Sequence, residues 1–131
     1  MAINNQIGNN VKYLITDDSK IARKFISKVL YNFMSDKDEI LEATNGEEAI
    51  LIYKEHNPDL CFMDLTMPVK DGFEATLEIC DFDKNAKIII ISADIQQGAV
   101  TKAKQNGAIG FINKSLDKNK MEEILTKLGC I

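Results

Sequence analysis

The sequence lacks several features that define whole classes of protein. Its 131 residues include 16 basic and 20 acidic side chains, for a net charge of −4, so the broad basic surface typical of nucleic-acid binding is missing. No apolar run approaches the ~20 residues of a membrane-spanning helix. The first ten residues, MAINNQIGNN, have no basic segment followed by an apolar one, which argues against a secretory signal. We therefore expect a cytoplasmic protein that neither inserts into a membrane nor binds nucleic acid.

Cysteine and histidine are too few and too scattered for a disulfide framework or a zinc site. Cys61, Cys80 and Cys130 are odd in number and have no C-x-x-C spacing, so we interpret them as reduced thiols. We expect Cys61 in the core and Cys130 exposed close to the C-terminus. The single histidine, His56, ends a helical segment and is expected at the surface.

Short strand-like segments alternate with longer segments of helical periodicity. The third and fourth strand candidates are apolar almost throughout, as is typical of central strands covered on both faces. The alternation predicts an α/β fold, a parallel sheet with helices on both faces. We expect residues 11–131 to form this single domain, with an N-terminal extension at 1–10 and no output domain. The strand candidates are residues 11–16, 39–43, 60–64, 87–92 and 110–113.

The helical segments carry their own signals. The fourth helix is expected at about residues 95–106. Asn45 with Glu48, and Asp71 with Glu74, have the three-residue spacing of helix capping. In the first helix, every fourth residue is apolar, which predicts a buried face; its members are Ile21, Phe25, Val29 and Phe33, widened by Ala22, Ile26 and Leu30.

Polar side chains lie at or just beyond the carboxyl ends of four of the predicted strands: Asp17 and Asp18, then Asp64, then Ser92, then Lys114. Because ligands of such sheets bind beyond the carboxyl ends of the strands, we expect these residues to converge there. Crowded carboxylates repel each other unless a cation is present, and Mg²⁺ prefers oxygen ligands. Acids, magnesium, a lysine and a hydroxyl together indicate phosphoryl transfer, with Asp64 as covalent acceptor.

Five motifs, in this order, extend the argument to a family: LITDDS, EATNGEEA, MDLTMPVKDG, ISA and FINK. They resemble the receiver domain of bacterial response regulators, and its CheY-like single-domain members closely. The resemblance covers Val11 to about Leu128. It implies a flavodoxin-like (βα)5 doubly wound sheet with five parallel strands in the order 2-1-3-4-5.

The resemblance also implies a phosphoacceptor and a Mg²⁺ site. Asp64 would accept the phosphoryl group and contribute to the metal site. Asp18 would ligate Mg²⁺ directly, Asp17 would hold it through water, and the backbone carbonyl of Thr66 would complete the protein ligands.

Further residues have roles by the same resemblance. Lys114 and Ser92 would contact the phosphoryl group. Ser92 and Phe111 would form the switch, because Ser92 moves towards the phosphate and Phe111 fills the space that it leaves. Thr66 and Asp94 occupy positions that influence the lifetime of the phosphoryl group.

The function implied is a two-component signalling switch, not an enzyme beyond its own phosphorylation and dephosphorylation. A histidine kinase or a phosphotransfer protein would supply the phosphoryl group. The face formed by the fourth helix, fifth strand and fifth helix would then bind a downstream protein, as in chemotaxis, or the group would be relayed onward. A phosphatase is a further expected partner.

One departure from the family pattern bears on the site. The family usually has proline after the lysine, in a cis peptide, whereas Ser115 follows Lys114 here. A cis bond before a non-proline residue costs about 2.5–4 kcal/mol, which favours a trans peptide.

Two other functions stay open on sequence grounds. A haloacid-dehalogenase-like aspartyl phosphatase also uses Asp, Mg²⁺ and Lys, but it needs a D-x-D motif at the first strand, where this chain has adjacent Asp17 and Asp18. Ser115 leaves open a phosphorylation-independent scaffold on the same fold. The intact set of Asp17, Asp18, Asp64, Ser92 and Lys114 argues against it.

Overall fold

A computed structural model describes residues 10–93 and 96–131, and in this part of the chain strands and helices alternate strictly. The strands form one parallel sheet in the order β2-β1-β3-β4-β5, which confirms the predicted doubly wound, flavodoxin-like fold. The elements are β1 Lys12–Thr16, α1 Lys20–Leu30, β2 Glu39–Ala43, α2 Gly46–His56, β3 Leu60–Met63, α3 Gly72–Phe82, β4 Ile88–Ser92, α4 Gln97–Gln105, β5 Gly110–Asn113 and α5 Lys118–Lys127.

Most predicted boundaries lie within one residue of those observed. β3 ends at Met63, so Asp64 is the first residue beyond the strand. The fourth helix is shorter than predicted, since α4 begins at Gln97. The predicted extension at residues 1–10 lies outside the described residues except for Asn10. No described helix has the length and apolar character needed to cross a bilayer.

The sheet separates two apolar cores because successive strand side chains point to opposite faces. On β3, Cys61 and Met63 pack with residues of α2, α3 and α4. Leu60 and Phe62 pack with residues of α1 and α5 on the other face. All four are buried, as the continuous apolar run predicts for a central strand, and the core position of Cys61 is confirmed.

The predicted buried face of α1 is correct only in part. Ile26 and Leu30 are buried, but Ile21 is 82% exposed and Phe25 is 46% exposed. At 100° per residue, Ile21 lies about 140° and Phe25 about 100° around the helix from Ile26. The four-residue repeat predicted one continuous apolar face. The side of the helix that packs on the sheet is instead centred near Ile26, and it includes the polar Ser27.

The prediction that Cys130 is exposed is wrong. Gly129, two residues beyond the end of α5, has φ +75°, and the Cys130 amide donates a hydrogen bond back to the Leu125 carbonyl at 2.8 Å. This is the reversal of a glycine-terminated helix, and it places Cys130 in the core between the sheet and α5. His56, the last residue of α2, keeps 39% of its side chain exposed, in line with a surface position.

A close backbone approach fixes the segment between β3 and α3. The Gly72 amide donates to the Leu65 carbonyl at 2.9 Å. A Cβ atom at Gly72 would lie 2.0 Å from the carbonyl oxygen of Asp64, a distance that no side chain tolerates. Only glycine therefore allows α3 to begin so close to the end of β3.

We expect Gly72→Ala to destabilise the fold by about 1–3 kcal/mol or more, because the backbone at Asp64 must move. Gly98→Ala is the matched control, since a Cβ there meets nothing within 4 Å and alanine favours the helix by up to about 1 kcal/mol. Urea unfolding of the two variants measures the difference. Equal stability of the two variants would contradict the close packing of Gly72 against Asp64.

Candidate functional site

Acidic and basic side chains meet at the carboxyl edge of the sheet. Asp17, Asp18 and Asp64 each offer a carboxylate oxygen, and these oxygens lie within 4.8 Å of one another. The Lys114 ammonium lies 3.0 Å from Asp17 Oδ2 and 3.5 Å from Asp64 Oδ1. The predicted convergence of these four residues is confirmed, although they span 98 positions of the chain.

Hydrogen bonds extend the sheet one residue beyond the strand ends and so position these side chains. The amide of Asp17 donates to the Ala43 carbonyl at 3.1 Å, and that of Asp64 to the Thr16 carbonyl at 3.0 Å. The amide of Lys114 donates to the Ser92 carbonyl at 3.0 Å. The functional groups are therefore held by sheet geometry, although they lie outside the strands.

The start of α1 holds Asp17 from the other side. The Ser19 amide donates to Asp17 Oδ1 at 2.9 Å, and the Ser19 hydroxyl caps α1 by accepting from the Ala22 amide at 3.2 Å. Arg23 donates to the Asp17 carbonyl at 2.8 Å and to Glu42 on β2 at 2.7 Å. The sequence analysis did not predict a role for Arg23. The sequence signal for it is a basic residue in the first turn of the helix that follows Asp17 and Asp18.

Burial and charge repulsion set the protonation of Asp64. Burial raises its pKa from the ordinary 3.8, the Asp17 charge raises it further, and Lys114 opposes both, so that the pKa is about 6. Burial also works against the charge of Lys114, but its hydrogen bond to Asp17 and the attraction of Asp64 outweigh it and raise the lysine pKa. The single ammonium group of Lys114 therefore neutralises only part of the negative charge of the buried carboxylates.

The donor set fits a hard divalent cation. Asp17 and Asp64 are only 1% and 6% exposed, whereas Asp18 faces solvent. Mg²⁺ binds carboxylate oxygens and keeps several of its waters. This cluster of three acids is open to solvent at Asp18, so it has room for the ion and for its waters. The remaining repulsion between the buried carboxylates also favours a cation at this position.

The other predicted site residues occupy varied positions. Thr66 is exposed in the segment after Asp64, and Ser92 is buried at the end of β4. Phe111 is partly buried on β5 and packs against the core on the α2–α4 side of the sheet. Asp94, predicted to influence phosphoryl lifetime, lies outside the described residues.

The peptide between Lys114 and Ser115 is trans, as the sequence predicted, and the described residues include no cis peptide. The side-chain Oδ1 of Asn113 accepts a hydrogen bond from the Ser115 amide at 2.9 Å. Lys114 reaches both acids from this trans backbone.

The raised pKa of Asp64 predicts a pH-dependent cost in stability. Because the folded protein binds a proton at Asp64 more tightly than the unfolded chain does, this group lowers the free energy of unfolding as pH rises from about 4 to about 6. At pH 7 without divalent cations, Asp64→Asn should stabilise the protein by about 3 kcal/mol.

Chemical denaturation in EDTA at pH 4.5 and pH 7 measures this effect. Asp18→Asn is the control, since its exposed carboxylate should change stability by less than about 0.5 kcal/mol. An Asp64→Asn variant no more stable than wild type at pH 7 would contradict the electrostatic account.

The amino-acid sequence of the chain is similar to those of known proteins over most of its length. The sequence model of the response regulator receiver domain matches residues 13–126. The chemotaxis protein CheY of Bacillus subtilis is 40% identical over 116 residues, covering 88% of this chain and 95% of the relative. CheY of Halobacterium salinarum is 39% identical over 113 residues, covering 86% and 92%.

A solved structure shares the whole architecture. In the complex of CheX and CheY with BeF3 and Mg from Borrelia burgdorferi, the matched chain superimposes with a TM-score of 0.82 at 34% identity. The match covers 92% of this chain and 91% of that chain.

Proposed function

The chain belongs to the response regulator receiver domain family, and we propose that it acts as a phosphorylation-controlled switch with Asp64 as phosphoacceptor. CheY-like receiver domains are components of two-component signalling and are switches rather than classical enzymes. The observation that carries the proposal is the Lys114 ammonium lying against both Asp17 and Asp64. We assign the receiver unit to residues 11–131.

The chemical step is attack of an Asp64 carboxylate oxygen on phosphorus. With a phosphohistidine donor, the P–N bond breaks, its electron pair stays on the imidazole nitrogen, and an acyl phosphate forms on Asp64. Lys114 neutralises charge on the phosphoryl oxygens, and the Ser92 hydroxyl donates a hydrogen bond to them. The attacking carboxylate must be ionised, and a pKa of about 6 keeps it mostly so at neutral pH.

Three side chains and one carbonyl would hold Mg²⁺ in this scheme. Both oxygens of Asp17 already have partners, the Ser19 amide and the Lys114 ammonium, which supports a contact through water. The exposed Asp18 suits a direct contact, together with Asp64 and the carbonyl of Thr66. The bound ion would neutralise negative charge on the acids and on the phosphoryl group.

The output lies on the face of α4, β5 and α5. Phosphorylation adds a charge close to −2 and draws Ser92 towards it, and Phe111 then moves into the freed space. Phe111 is paired with Ile90 on β4, two residues before Ser92, which supports a short route between the two. The altered face would bind a downstream protein of a chemotaxis-type pathway, with a histidine kinase or phosphotransfer protein as donor and a phosphatase as antagonist.

We expect one phosphate per molecule when the protein is incubated with Mg²⁺ and acetyl phosphate. Asp64→Asn should abolish the label, because the nucleophilic carboxylate is gone, and EDTA should do the same. Asp81→Asn, an exposed acid on α3, is the control and should be labelled like wild type. Intact-mass spectrometry and ³²P labelling measure the outcome.

Labelling of Asp64→Asn at the wild-type level would overturn the assignment. Steady-state turnover of external phosphate esters, such as p-nitrophenyl phosphate, would instead favour an aspartyl phosphatase.

We expect beryllofluoride with Mg²⁺ to shift the NMR resonances of Phe111 and of the surrounding face. Ser92→Ala should reduce this shift at least twofold while beryllofluoride still binds, because the hydroxyl links the phosphate to the aromatic ring. Ser35→Ala, at an exposed position remote from the site, is the control. A downstream partner that bound equally with and without beryllofluoride would favour a phosphorylation-independent scaffold.

A further inference from the structure

Lys114 is the central residue of a hydrogen-bonded ring. Asn113 Oδ1 accepts from the Ser115 amide at 2.9 Å, which is an Asx turn enclosing Lys114. The amide of Lys114 is held separately by the Ser92 carbonyl at 3.0 Å. We propose that Asn113 is a positioning residue, whose side chain holds the Lys114 backbone so that its ammonium reaches Asp17 and Asp64. This inference rests on the proposed function.

The reach of the Lys114 side chain depends on how its backbone is held, because the residue lies just beyond the end of β5. Its side chain is 34% exposed, and its ammonium reaches two buried acids from β5, which lies at an edge of the sheet. The backbone bond to Ser92 holds only the N-terminal side of the residue. The Asx turn restrains the C-terminal side, where the chain leaves β5 for α5.

Asn113 and Ser115 depend on each other in this device. The family's usual residue after the lysine, proline, has no N–H and could not donate to Asn113. Ser115 supplies the donor from a trans peptide, and Asn113 supplies the acceptor. The departure from proline and the Asx turn are therefore two parts of one arrangement.

The expected effect is on phosphorylation and not on cation binding. In the proposed mechanism Lys114 contacts the oxygens of the phosphoryl group. It is not a ligand of the metal, which is held by oxygen atoms. A loosened Lys114 should slow phosphoryl transfer and leave the affinity for Mg²⁺ within about twofold of wild type. A general disturbance of the sheet edge would weaken both.

The test compares phosphorylation rates with acetyl phosphate at saturating Mg²⁺. Asn113→Ala should be slower by about two- to tenfold, the range expected for one lost hydrogen bond. Asn113→Asp keeps an acceptor oxygen and should restore most of the rate. Ser115→Ala keeps the amide donor and is the matched control at wild-type rate.

Double variants identify the bond itself. In a Ser115→Ala background, Asn113→Ala should cost as much as in wild type. In a Ser115→Pro background the donor is already absent, so Asn113→Ala should cause no further loss. The proposal is overturned if Asn113→Ala reacts at the wild-type rate, if it weakens Mg²⁺ binding in parallel, or if its cost persists beside proline.

Failure of the proposed function would look different, since wild-type protein would then carry no phosphate on Asp64. In that case hydrogen exchange of the Ser115 amide measures the turn directly. Exchange accelerated in Asn113→Ala supports the turn, and unchanged exchange rejects it.

Discussion

Two buried carboxylates at neighbouring strand ends, Asp17 and Asp64, impose the strongest constraint on this structure. Removing carboxylates from water without compensation is costly, and the charge of Asp17 adds to the cost of ionising the buried Asp64. Lys114 lies against both and relieves part of the repulsion. The remaining excess of negative charge is the property that makes this edge of the sheet suited to a divalent cation.

The surroundings keep the acids from moving apart. Behind them, amide hydrogen bonds to Ala43 and Thr16 extend the sheet to the residues themselves. Beside them, Arg23 holds the carbonyl of Asp17, and Gly72 packs against the carbonyl of Asp64. Because the backbone at Asp64 is fixed in this way, a change in the charge of its side chain acts on the neighbouring side chains.

Local signals in the sequence were reliable where they depended on neighbours along the chain. The capping residues Asn45 and Asp71 accept from Glu48 and Glu74 as the spacing predicted, because these bonds need only helical geometry. Periodicity was less reliable for α1, where it does not specify which sector of the helix faces the sheet. The burial of Cys130 depended on a chain reversal at Gly129 that hydropathy does not encode.

Hydropathy and residue order along the chain were enough to predict the succession of strands and helices, and the type of residue found at the end of each strand. The sequence therefore indicated that Asp17, Asp18, Asp64 and Lys114 share one edge, since parallel strands have their carboxyl ends together. How Lys114 is shared between two acids, and how Arg23 holds the carbonyl of Asp17, depended instead on tertiary packing. Those contacts join residues from different elements, and their distances depend on how the elements pack, which no local pattern records.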